Sequence, residues 1–327
     1  MINPDFTVDE ISKILLPYMS GELEKALEYE HAPEQISGGN EAYLYRFQLH
    51  GTVGGLSQPL ILRLFPGFYP PGRASWDSLI QNIVADVGYP APRVYVTCED
   101  KAVLGGSFMV MEYIEGEPLS SYAPLEMAAL LGRAQAELHS LDPQPIATAL
   151  RAKGVAESRY RLSGLLDWLD GHISERYSGW LGECTRWLKD NRPEEPETLS
   201  VIHGDFHPLN ILVRDGKVVG VLDWPNFRLA DPSMGIAFTL VLAEGAFEYV
   251  MDVGRLDDLI ATYLSAYRQV RPIDDENIPY YKVLRCVMAF QQGADGQAVW
   301  TQPQIVEYLI NEIHENTGVK VEPLTAA

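Results

Sequence analysis

The sequence predicts an α+β fold in two lobes, a mostly antiparallel β part over residues 1–114 and a larger helical part over residues 115–327. Three observations carry this. At 327 residues the chain exceeds the roughly 250–300 at which a single core stops growing. Between Ile36 and Ile114 apolar residues alternate or form short runs, the pattern of strands. From Pro118 onward they recur mainly at helical spacing.

Thr7 followed by Glu10 has the spacing of a capping box and predicts a helix over 7–17. "ISGGNEAYLYRFQL" (36–49) is a glycine turn leading into a strand with alternating Tyr43, Tyr45 and Phe47. "PLILRLF" (59–65) is a compact apolar strand, and "RVYVTCED" (93–100) and "GSFMVMEYI" (106–114) predict two more. "SWDSLIQNIVADV" (75–87) has helical spacing. "YIEGEPL" (113–119) reads as the linker. Beyond it, "LEMAALLGRAQAELHSLD" (125–142) sets Leu130, Leu131, Ala134, Leu138 and Leu141 on one helix face. Helical patterns recur at about 160–190, 232–251, 256–270, 279–293 and 303–316, broken by short strands around 201–223. No repeat of fixed period is visible.

Composition narrows the function. Hydrophobic residues at 46% and charged residues at 21% are ordinary for a globular chain. No apolar run reaches the roughly 20 residues of a membrane span, and the first residues lack the basic and apolar regions of a secretory signal. A cytoplasmic protein without a membrane partner is therefore expected. Cys98, Cys184 and Cys286 are scattered and odd in number, which predicts buried thiols. A net charge of −20 argues against nucleic acid and anionic membranes as partners, and would attract a cationic small molecule.

The densest polar signal is "VIHGDFHPLNILV" (201–213), followed by "VLDWPNF" (221–227). Val201–Ile202 and Ile211–Val213 predict short buried strands, so Asp205 and Asn210 fall on the loop between them. A turn at "RDGK" (214–217) and the strand "VVGVL" (218–222) would return the chain to bring Asp223 beside Asn210. Phosphoryl transfer gives this set a meaning. Nucleotide phosphates need Mg²⁺, which takes oxygen ligands such as a carboxylate and an amide carbonyl. A separate carboxylate must orient the acceptor hydroxyl.

With "HGDFHPLN" and "LDW" in place, the chain resembles the aminoglycoside phosphotransferase and choline kinase-like family, small-molecule kinases of the protein kinase-like fold. The likeness runs from the glycine turn near 38 to "ADPSMGIAF" (230–238). It implies Asp205 as catalytic base, Asn210 and Asp223 as Mg²⁺ ligands, and His203 as a support of the loop. It places Gly38, Gly39 and Asn40 in a turn covering the phosphates, and the backbone from Glu112 to Ile114 against a purine base. Arg63 stands where the family commonly has a phosphate-gripping lysine, and Asp77 where its glutamate partner is expected; the alternative is that both are surface charges. His207 occupies the place of a loop lysine, with phosphate neutralisation and plain loop support both open. His139 is expected to be structural, Asp231 to cap a helix and brace the loop, and Pro225 replaces a frequent acid.

The implied activity is transfer of the γ-phosphate of ATP or GTP, with Mg²⁺, to a hydroxyl of a small molecule: an aminoglycoside-like antibiotic, an amino alcohol or a sugar. The alternative is a catalytically inactive nucleotide-binding regulator. A protein kinase is disfavoured by the lack of "DFG" and "APE" segments. The acceptor is not legible: Asp167, Trp168, Asp170, Glu248 and Tyr249 fit either a pocket for an amine or solvated helix faces.

Overall fold

The computed structural model describes residues 6–36, 42–51, 54–176, 179–247 and 255–321. The chain divides into two compact units, Met1–Glu117 with Leu212–Pro225, and Pro118–Ile211 with Asn226–Ala327.

The first unit opens with α1 (Val8–Glu22), whose capping box between Thr7 and Glu10 is formed in both directions. The helix runs past the expected end because Ile11, Leu15 and Met19 share one buried face, and Pro17 between them removes only one backbone donor. A five-stranded antiparallel sheet follows, in the order β1-β2-β3-β5-β4. Its strands are β1 (Glu28–Ile36), β2 (Tyr43–His50), β3 (Leu60–Leu64), β4 (Val94–Cys98) and β5 (Phe108–Glu112). α2 (Arg73–Asp86) precedes β4, and the single turn α3 (Lys101–Leu104) joins β4 to β5.

The alternation of β2 buries Tyr45, Phe47 and Leu49 together with the apolar face of α1. β3 is buried along its whole length because both faces are covered. Leu60, Leu62 and Leu64 join the α1 side, while Ile61 and Phe65 join Ala74 of α2 in a second cluster with Met109 and Met111. Arg63, two residues from both Ile61 and Phe65, shares that second face.

The hairpin β8 (Ile211–Arg214) and β9 (Lys217–Val221) turns at Asp215 and Gly216, both with positive φ, as a two-residue turn matched to strand twist requires. It forms a small sheet with β6 (Glu117–Pro118). The sequence boundary at 114/115 places this hairpin in the helical part, whereas by its contacts Leu212–Pro225 belongs to the first unit. Val221 N–H donates to the Pro90 carbonyl (2.7 Å), and the Trp76 indole donates to the Pro225 carbonyl (2.9 Å). Trp224, fully buried, meets Tyr89 edge-on.

The second unit contains α4 (Pro124–His139), α5 (Pro143–Ala152), α6 (Leu162–Arg176), α7 (Trp180–Asp190), α8 (Pro232–Leu242), α9 (Leu256–Arg268), α10 (Ile278–Ala294) and α11 (Pro303–Thr317). The pattern at 160–190 is thus two helices, and the one at 232–251 ends as a helix at Leu242 and continues as a π turn to Phe247. α4 and α9 approach so closely that a Cβ on Gly132 would lie 2.3 Å from the Tyr263 carbonyl oxygen. β7 (Ser200–Ile202) pairs antiparallel with β10 (Arg228–Ala230), Val201 opposite Leu229. The three cysteines are buried thiols. No helix among the described residues is long and apolar enough to cross a membrane.

Candidate active site

In the second unit, β7 delivers the chain into the loop that holds Asp205. Gly204 turns it with φ of +81°, and a Cβ there would come 2.4 Å from the Asn226 carbonyl oxygen, so glycine is required on two counts. The buried His203 ring accepts the Asp205 N–H at Nδ1 (3.2 Å). A short 3₁₀ turn, Pro208–Asn210, then leads into β8. Asn210 donates through Nδ2 to the Asp205 carbonyl (3.0 Å) and lies 3.4 Å from Asp205 Oδ2. His207 Nε2 is also 3.4 Å from Asp205 Oδ2. With its amide nitrogen turned to Asp205, Asn210 keeps its side-chain carbonyl as an acceptor. Burial opposes ionisation of Asp205, but the neighbouring His207, with the charges of Arg285 and His203, outweighs it and holds the carboxyl well below the usual range.

The loop rests on a buried polar chain. The Phe206 carbonyl accepts from Thr239 Oγ1 on α8 (3.1 Å). Gln135 on α4 donates to Thr239 Oγ1 (3.1 Å) and to the Gly235 carbonyl (3.0 Å), and the Tyr263 hydroxyl of α9 donates to Gln135. Asp231 caps α8 through the Ser233 N–H (2.8 Å) and accepts from Asn277 (2.9 Å), while the loop backbone at Phe206 is held by Thr239. His139 is buried and bonded to the Tyr267 hydroxyl (2.8 Å), a structural position. Arg285 is buried on α10, its guanidinium 4.5 Å over Trp300, with Gln292 as acceptor (3.3 Å). Sequence reasoning missed Thr239, Gln135 and Arg285, which lie on helical stretches with no local motif.

In the first unit Arg63, Arg73, Asp77 and Asp223 come together. Arg63 Nη1 is 3.4 Å from Asp77 Oδ2, and Nη2 is 2.9 Å from Asp223 Oδ1. Arg63 is 7% and Asp77 0% exposed, so neither is a surface charge. Arg73, the first residue of α2, brings a second guanidinium: Nε is 3.8 Å from Asp77 Oδ2 and Nη2 is 3.7 Å from Asp223 Oδ1. The sequence reading passed over Arg73, although its spacing of four from Asp77 on a helix was a usable signal. Asp223 has φ of +69°, a strained conformation for a non-glycine residue of the kind found at functional sites.

Near the expected base contact, the Glu112 N–H donates to the Arg93 carbonyl (2.9 Å) and the Tyr113 N–H to the Pro59 carbonyl (3.0 Å). The Glu112 amide is therefore committed within the protein. Gly38, Gly39 and Asn40 lie outside the described residues, as do Glu248 and Tyr249. Trp168 is half exposed and stacks on His172, while Asp170 is tied to Lys189 (2.5 Å) and Thr185 (2.9 Å). Among the described residues no cluster of three or more His, Cys, Asp or Glu side chains could hold a metal by itself.

Residues 33–273 match the family described as "Phosphotransferase enzyme family". An aminoglycoside 3'-phosphotransferase of Streptomyces fradiae is 30% identical over 208 residues, 60% of this chain and 73% of that one. Acyl-CoA dehydrogenase family member 11 of Gallus gallus is 25% identical over 311 residues, 88% of this chain but 37% of its own length. The chain thus spans little more than a third of that relative. Among solved structures, a Ralstonia eutropha chain described as an aminoglycoside phosphotransferase superposes with a TM-score of 0.63 at 19% identity, covering 93% of this chain and 95% of the other. An aminoglycoside phosphotransferase in ternary complex with AMP-PNP and hygromycin B gives 0.53 at 15% identity over 94% and 95%. These likenesses establish the kinase-like α+β fold.

Proposed function

The chain belongs to the phosphotransferase enzyme family, and from that membership we propose that it moves the γ-phosphate of ATP or GTP to a hydroxyl of a small molecule. The observation that carries the reading is the loop geometry at Asp205: an ionised carboxylate held by His207 and Asn210 on a backbone pinned from below. Asp205 is the group that orients the acceptor hydroxyl and takes its proton. Asn210 and Asp223 are the oxygen donors for Mg²⁺, which when bound neutralises charge on the transferring phosphate. Arg63 grips the inner phosphates, with Asp77 fixing its guanidinium. Gly38, Gly39 and Asn40 cover the phosphates, and the backbone between Glu112 and Ile114 meets the base. Catalysis is positioning plus charge neutralisation without a covalent enzyme intermediate.

Two acceptor classes are supported. The Streptomyces relative and the hygromycin B complex support an aminoglycoside-like polyol, in keeping with the net charge of −20. The acyl-CoA dehydrogenase family relatives carry a segment like this chain within much longer proteins, which supports a hydroxylated acyl thioester as the second class.

Thermal-shift titration with ATP and GTP, with and without Mg²⁺, tests the nucleotide site. At a hundred times the dissociation constant a nucleotide stabilises the fold by about 2.7 kcal/mol. The expected result is a Mg²⁺-dependent shift that D223A loses. A shift with neither nucleotide would contradict the site, and a full shift without phosphorylated product would favour the inactive regulator.

A further inference from the structure

Arg73 is not accounted for by the roles above. Its backbone is fixed where α2 begins: the helix lacks a side-chain cap at Gly72, and Glu99 replaces it by accepting the Gly72 N–H (2.9 Å) and the Ser75 N–H (2.6 Å). Its guanidinium lies 5.4 Å from the ring centres of both Phe65 and Tyr69, and Arg63 lies 4.9 Å over Phe65. These aromatic faces give the two guanidinium groups weak contacts beside those to the carboxylates. Arg63 and Arg73 both face Asp77 and Asp223. Asp223, the proposed metal ligand, is therefore occupied by two cations.

We propose that Arg73 is a second phosphate-gripping residue, and that Arg63 and Arg73 together hold Asp223 in place of the metal until nucleotide draws them away. This rests on the phosphotransferase reading. A divalent cation arriving alone at Asp223 meets two guanidinium charges; a triphosphate arriving with it gives both guanidinium groups new bidentate acceptors and frees the carboxylate. Metal and nucleotide then strengthen each other's binding by the same factor, as linkage requires. Removing Arg73 acts with opposite sign on the two ligands alone, a signature that loss of a purely structural brace for Asp77 would not produce.

The test is calorimetric titration of the wild type, R73Q and R73K with Mn²⁺ alone, with ATP in EDTA, and with ATP in saturating Mg²⁺. R73Q is expected to bind ATP about tenfold more weakly, the loss of one charge-assisted contact, while binding Mn²⁺ alone several-fold more tightly. R73K should show the same signs with smaller factors, and serves if R73Q does not fold. D223N should bind Mn²⁺ no better than background. Parallel weakening of both ligands, or no change in either, would overturn the proposal and leave Arg73 as a brace. A wild type that binds neither ATP nor GTP would defeat the phosphotransferase reading itself; Mn²⁺ binding unchanged in R73Q would still separately refute the competition for Asp223.

Discussion

The placement of Asp205 and Asn210 on a loop and of Asp223 after a hairpin could be read from the sequence because it depends on spacing along the chain: a loop between two short apolar strands, then a two-residue turn. Arg63 could be read because it interrupts an apolar strand. What a strand pattern cannot give is which charges meet across a face. Arg73 belongs to the Arg63 group only because β3 and α2 share that face, and Arg285 acts on Asp205 from a helix some eighty residues further along the chain. His139 has a consequence of its own. Burial first, and then the Arg271 charge, lowers its pKa from 6.5 to about 3. The folded state binds its proton less readily than the unfolded chain, so His139 contributes stability above pH 6.5 that is lost as pH falls toward about 3. Thermal melts of the wild type and H139Q across this range should show the wild type falling more steeply, by at most about 1.4 kcal/mol per pH unit. Parallel curves would contradict the buried neutral state.

The β2 and β3 strands and α2 were foreseen because period and burial agree. β1 was not, since "EYEHAPEQI" is largely exposed, carries Pro33 and has two register irregularities against β2. Those are the features of a sheet edge protected against pairing, and they erase the alternation that reveals a strand. α5 was missed although Pro143, Ile146, Ala147 and Leu150 are buried at helical spacing; Pro143 and Pro145 in its first turn read as breakers. α8 shows how an element serves the site. It is buried on all sides, and Thr239 is the point where it touches the Asp205 loop. T239V keeps the volume but strands the Phe206 carbonyl, so a stability loss of about 1–3 kcal/mol is expected. Turnover should fall while nucleotide affinity, measured by the same titrations, stays near wild type. An unchanged kcat would remove Thr239 from the positioning of Asp205.

For the molecule as a whole, the class of fold followed from length and from the change of period near Pro118, but the grouping of segments did not. Leu212–Pro225 lies far along the chain and packs with the first unit through Trp224, Val221 and Pro225, contacts that no composition or period reports. This is why Asp223, read as part of the helical lobe, stands with Arg63. The central claim is phosphoryl transfer, and its most direct measurement is phosphorus NMR with mass spectrometry of the whole protein incubated with Mg²⁺, ATP or GTP, and two acceptor panels, aminoglycosides and hydroxyacyl thioesters. The account predicts a phosphorylated acceptor in one panel, with the rate reduced by about a hundredfold or more in D205N. Nucleotide bound but no phosphorylated acceptor in either panel, or equal rates in D205N and wild type, would contradict it.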